Sequence, residues 1–151
     1  MIGSIDVIAN GIVCYDQSLL LSRRGGWDFW TLPGDSVKPG EPIEEALKRT
    51  LQTALRTPLH SHDLSSVVES MESADGRPNH ELHFLFDVEL DEPVQDNAGS
   101  DIETRWFWWG DIDSVDIRPS ALANQVRDPA FEQRVWIPAT CSVNEEAVRS
   151  G

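Results

Sequence analysis

Apolar and polar positions follow two rhythms along this chain, and the rhythm changes at residue 42. From Ile5 to Tyr15 the residues Val7, Ile8, Ile12 and Val13 predict a β-strand, with Gly11 expected at a bend or bulge. Asp16-Gln17-Ser18 is a turn and Leu19-Leu20-Leu21 a second short strand, so the chain opens with a hairpin ending at Arg23-Arg24-Gly25-Gly26. Trp27 to Leu32 is aromatic-rich and expected to be extended until Pro33-Gly34 breaks it. After Lys38-Pro39-Gly40-Glu41-Pro42, the residues Ile43, Leu47, Leu51 and Leu55 recur every fourth position, the stripe of an amphipathic helix. Pro42 suits its start, Glu44 and Glu45 suit the positive end of its dipole, and Pro58 stops it.

The second half returns to strands. Val67-Val68 and Leu82 to Leu90 predict two more, separated by the turn-like run from Ala74 to Asn79. Glu92 to Ser100 is a polar loop, Arg105 to Trp109 a short aromatic strand, and Ser120 to Val126 a second helix. Thr140 to Gly151 is polar and expected to be disordered. Strands, a helix, more strands and a late helix predict one mixed α/β sandwich over residues 1–138, with a polar tail over 139–151. A chain of 151 residues suits one domain of this kind.

Charge narrows the partners. Twelve Lys and Arg against 26 Asp and Glu leave a net charge of −14. Such a surface repels phosphate backbones, so a nucleic-acid polymer is not an expected partner, and an anionic small ligand would need a locally neutralised pocket or a metal. No apolar stretch approaches the roughly eighteen residues of a membrane span. Met1 to Asp6 lacks the basic start and apolar run of a secretion signal. Cys14 and Cys141 are too few and too distant for a disulfide framework or a zinc site, so reduced thiols in the cytoplasm are expected.

Residues Trp30 to Thr57 read WTLPGDSVKPGEPIEEALKRTLQTALRT. This segment resembles the Nudix box, G-x5-E-x7-R-E-U-x-E-E-x-G-U with U a bulky apolar residue. Other features are similar to the family too: the basic-ended hairpin, the W-x-L-P-G lead-in, the E-x-R-W of Glu103 to Trp106, and the I-R-P-x-A-L of Ile117 to Leu122. The resemblance implies a Nudix-like α/β/α sandwich with a mixed central sheet. In its register Glu41 falls on the first glutamate, Arg49 on the arginine and Leu51 on the apolar position, while Gly34 and Gly40 match glycines of the loop. Asp35 falls on the opening glycine, and Arg56 and Thr57 on the closing glycine and apolar residue. The three later glutamates, which in the family are the principal Mg²⁺ or Mn²⁺ ligands, fall on Thr50, Thr53 and Ala54. Positions i, i+3 and i+4 share a helix face, but two hydroxyls and a methyl do not supply the anionic oxygens that hard cations need. No metal is therefore expected at Thr50, Thr53 and Ala54.

The candidate residues each carry an ordinary reading beside a functional one. Glu41 and Arg49 are expected to brace the loop against the helix. Glu41, Glu44 and Glu45 are either a displaced metal site or acids placed for the helix dipole. Glu103 is a general base if burial raises its pKa, and otherwise a loop acid. Glu81 and His83 share a strand face and can form an acid/base pair independent of metal, or a structural hydrogen bond. Asp35 is a further candidate acid. Trp30, Trp106 and Trp108, with Arg23 and Glu41, are candidates to bind a ligand, although aromatics on a strand also serve as core or interface.

Three functions follow, in order of preference. The first is a Nudix-like protein without the usual metal-binding glutamates, binding a small, nucleotide-like ligand or a partner without hydrolysing diphosphates. The second is an enzyme on the same scaffold using metal-independent general acid/base chemistry. The third is an Mg²⁺- or Mn²⁺-dependent hydrolase of nucleoside diphosphate derivatives with a relocated metal site; only this one needs a cofactor. The tryptophans are also compatible with a homodimer.

Overall fold

The computed structural model describes residues 3–98, 101–127 and 135–139. The expected tail from Thr140 to Gly151 lies outside the described residues. The opening hairpin consists of β1 (Ile5–Tyr15) and β2 (Ser18–Arg24), joined through Asp16 and Gln17 with φ of 49° and 62°. Two consecutive positive φ values give a turn whose twist matches that of its strands. The hairpin stays paired only at Cys14 with Leu19 and Tyr15 with Ser18. Beyond that the strands part. β2 runs antiparallel to β6 (Ile102–Trp108), whereas β1 pairs along its length, in parallel, with β5 (Pro78–Leu90).

The short β3 (Gly34–Ser36) lies against the first half of β1, opposite Ile8 to Asn10. A hydrogen bond from Gly11 N to Pro33 O at 2.8 Å continues this contact. β4 (Leu59–Glu72) is antiparallel to β5, and β7 (Trp136–Ile137) is parallel to β4. The strand order is β6-β2-β1-β5-β4-β7, with β3 beside β1, a mixed sheet.

Period-two alternation sends β-residues to two cores. On one face α1 (Ile43–Leu55) buries Ala46, Leu47, Leu51, Ala54 and Leu55 against Ala9, Val13, Leu20, Phe86 and Val88. On the other, a 3₁₀ turn (Trp109–Ser114) and α2 (Ser120–Arg127) bury Ile112, Leu122, Ala123 and Val126 against Ile12, Leu19, Leu21, Val68 and Leu85. The result is the α/β/α sandwich expected. Each fully buried leucine here is worth roughly 1.5–3 kcal/mol of transfer free energy. Among the described residues no helix is long and apolar enough to cross a membrane.

Two local expectations are corrected. Gly11 is not at a bulge: it keeps unbroken register with Phe86, and its missing side chain makes room for Leu51, since a Cβ there would stand 2.8 Å from Leu51 Cδ1. Trp27 to Leu32 does not form a strand; only single bridges occur, Ser22 with Thr31 and Trp30 with Ile117. The strand around Val67-Val68 is also far longer than its apolar pair suggests, because β5 supplies a partner along most of its length.

Candidate functional site

Where β1 and β2 part, the loop carrying β3 and the second half of α1 close a cavity of about 300 Å³. Its wall takes Asn10 from β1, Arg23 and Arg24 from β2, Asp35 from β3, Thr50, Thr53 and Ala54 from α1, and Glu81 and His83 from β5. Trp27 and the tip of the β4–β5 hairpin, Ser73 to Asp75, complete it.

The inner wall is a buried polar chain. His83 is 3% exposed and Glu81 5%, and His83 Nε2 lies 2.9 Å from Glu81 Oε1. His83 Nδ1 is 2.8 Å from Asn10 Oδ1, while Asn10 Nδ2 donates to the Leu32 carbonyl at 3.1 Å. That carbonyl fixes the Asn10 amide, because a flipped amide would set oxygen against oxygen. Asn10 Oδ1 therefore accepts a hydrogen from His83 Nδ1, and the second ring nitrogen meets Glu81. Nitrogen and oxygen at 2.9 Å require one hydrogen between them. Asn79 Nδ2 donates to Glu81 Oε2 at 2.8 Å and to Asp6 Oδ2 at 3.0 Å, anchoring the chain's outer end.

The α1 wall carries Thr50, Thr53 and Ala54. Thr50 Oγ1 donates to Leu47 O at 3.3 Å and Thr53 Oγ1 to Arg49 O at 2.9 Å, so both hydroxyl hydrogens return to the helix backbone. With Ala54 beside them, this donor set does not fit a hard divalent cation. Among the described residues no three His, Cys, Asp or Glu side chains converge as a metal site.

The acids proposed for a displaced metal site point to separate partners. Glu41 receives Arg49 Nε at 2.8 Å and Nη2 at 2.9 Å, and its carboxyl is lowered to about 2, chiefly by that hydrogen bond. Arg49 also donates to the Ser36 carbonyl at 3.1 Å, tying α1 to β3. Glu44 lies 3.7 Å from His62, and Glu45 3.7 Å from Lys48. Glu103 accepts Arg23 Nε at 2.8 Å and Arg105 Nη2 at 3.0 Å. The Arg23 guanidinium, more than any other group, holds its carboxyl below the ordinary value, the opposite of the shift a general base needs.

The structure brings together Arg23, Asp35, Glu81 and His83 of the candidate residues, with Gly34 and Arg49 beside them. Gly34 holds φ of 147°, and a Cβ there would stand 2.0 Å from Ala9 O. Gly40 turns the loop with φ of 82°. The remaining aromatic candidates lie elsewhere. Trp30 is buried, packed edge-on to Phe107 at 4.9 Å with Arg23 4.3 Å above its ring. Trp106 donates to Val94 O, and Trp108 is 57% exposed over Gly110. Sequence reasoning missed Asn10 and Asn79. An asparagine among apolar residues of a strand was the available signal, since strands disfavour it unless a partner awaits.

Fold and box geometry together define a Nudix-type sandwich. Residues 6–130 match the family model described as NUDIX domain, and the chain belongs to the Nudix family. Among solved structures it is similar to a MutT protein from Bacillus halodurans, at TM-score 0.69 and 15% identity over 87% of this chain and 86% of that one. A NUDIX hydrolase from Nitrosomonas europaea gives TM-score 0.64 and 17% identity, over 87% and 93%. A MutT NUDIX hydrolase from Burkholderia pseudomallei gives 0.59 and 23%, over 74% and 86%. These likenesses establish the shared fold. No curated protein matches the sequence.

Proposed function

We propose that this Nudix-family protein uses its cavity to bind a small ligand, without the usual metal-dependent hydrolysis of diphosphates. One observation carries the reading: the α1 wall of the cavity presents Thr50, Thr53 and Ala54 in the register where the family's metal-binding glutamates would stand. Without those carboxylates, a diphosphate in the cavity would lack the electrophile that neutralises its leaving group. The partners of Glu41 and Glu103 argue against relocation, because each carboxylate already faces a guanidinium. Two cysteines without a disulfide framework, Cys14 and Cys141, support a reducing compartment, the cytoplasm, for this protein.

Calorimetric titration with Mn²⁺ tests it, together with a turnover screen of nucleoside diphosphate sugars and dinucleotides. No specific heat and no metal-dependent product are expected. Robust manganese-dependent turnover, lost in Glu41→Gln, would overturn the proposal.

A second reading rests on the Glu81–His83 pair at the cavity wall. A carboxyl and an imidazole sharing a hydrogen can pass a proton to or from a bound ligand without metal. Product formation in the presence of a chelator, abolished in His83→Ala and in Glu81→Gln, would establish this reading over simple binding.

A further inference from the structure

At the far end of β1 and β5 from the cavity, the strands enclose a second hollow of about 320 Å³. Because β1 and β5 run in parallel, Val13 to Tyr15 end beside Glu89 to Asp91, and Trp106 of β6 closes the side. Two aromatic rings and two carboxylates meet there. Tyr15 and Trp106 stand with ring centroids 6.3 Å apart and planes inclined by 54°, an open corner rather than a stack. The Trp106 indole N–H donates to the Val94 carbonyl at 2.6 Å, so the ring offers the hollow π surface rather than a donor. Tyr15 is 57% exposed, and Val13 and Leu90 supply aliphatic wall. Glu89 meets the Ser61 hydroxyl at 3.4 Å and Asp91 the His60 ring at 3.0 Å. Among the described residues no lysine or arginine pairs with either acid, and none lines the hollow.

Elsewhere the aromatic faces have cations of their own. Arg23 and Arg105 lie over Trp30 at 4.3 and 5.0 Å, and Arg118 lies over Phe29 at 4.8 Å. Arg105 is next to Trp106 in the chain, but strand alternation sends it to the other sheet face, where Glu103 holds it. Among the described residues no guanidinium or ammonium stands over Tyr15 or Trp106, although the carboxylates beside them favour one. Ring faces carry negative potential, and with two carboxylates and aliphatic wall they suit a cation bearing apolar substituents. A bare metal ion fits poorly. It needs several converging oxygens, and among the described residues no three His, Cys, Asp or Glu side chains converge.

We infer that this hollow is a second ligand site, for a small organic cation with an alkylated ammonium head held against Tyr15 and Trp106 and neutralised by Glu89 and Asp91. The site is separate from the cavity at the other end of the sheet and does not depend on the function proposed for that cavity.

Tyr15 is the only tyrosine of the chain, so ring-labelled tyrosine gives NMR signals that report on this hollow. The full chain is titrated with choline, with its uncharged carbon isostere dimethylbutanol, and with sodium chloride at matched ionic strength. Choline should shift the Tyr15 signals saturably, the alcohol should bind at least about ten-fold more weakly, and sodium chloride should give no saturable shift. Glu89→Gln combined with Asp91→Asn removes charge and keeps shape, and should weaken choline about ten-fold. Trp106→Leu, with its fold checked by circular dichroism, should weaken choline about three-fold.

The absence of a saturable shift up to about 50 mM choline would overturn the inference. Equal affinity for the alcohol would do the same, since it would make the hollow a plain apolar notch. So would undiminished choline binding in the Glu89 and Asp91 double variant, whose substitutions lie at the surface and leave the cores intact.

Discussion

At Gly34 a single missing Cβ lets β3 lie against β1. Gly34→Ala is expected to cost at least ~1–3 kcal/mol, because it combines an unfavourable φ with a clash against the Ala9 carbonyl. Thermal denaturation would show the loss as a lower midpoint, with the cavity wall disturbed in parallel. Glu41 gives a pH-dependent counterpart. Its folded value of about 2 lies below the ordinary 4.5, so folding favours its anion. That contribution is fully present above about 4.5 and disappears as pH falls through about 2. Glu41→Gln should therefore lower the unfolding midpoint at pH 7, and the gap from wild type should close progressively below pH 4.5. A gap that persisted unchanged to pH 2 would show that the Arg49 contact does not set the effect.

At the scale of elements, α1 unites stability and site. Its apolar stripe was legible because a four-residue recurrence has one geometric meaning on a helix, and its ends at Ile43 and Leu55 match the flanking prolines. Leu51 packs over Gly11, so Leu51→Ala should cost ~2–5 kcal/mol in chemical denaturation. The cavity-lining positions of α1 allow a gain-of-function test. Replacing Thr50, Thr53 and Ala54 together with glutamate should raise calorimetric Mn²⁺ binding above that of the parent; an unchanged titration would mean that side-chain identity at these positions does not decide metal binding. The aromatic strand was less legible. Its alternation was evident, but whether its tryptophans met ligand or protein depended on what covered each face. Phe107 meets Trp30, and Trp106 packs near Tyr15 at 6.3 Å.

At the scale of the molecule, two cores hold the mixed sheet between helices, and the surplus of acid surrounds them. Mutual repulsion at −14 is screened by salt, so raising sodium chloride from about 10 to 200 mM should raise the unfolding temperature. Scanning calorimetry at fixed pH would read that shift, and a fall instead would show that attractive surface pairs outweigh the net charge. Local pattern was sufficient for the hairpin and the α1 stripe, because each is written within a few turns or strands of chain. The chemistry of the cavity was decided only in three dimensions. Asn10 meets His83 across 73 residues and Arg23 meets Glu103 across 80. Those meetings follow from the parallel register of β1 on β5 and the antiparallel register of β2 on β6. Register is settled by packing both sheet faces against helices at once, a collective energy that no single segment contains.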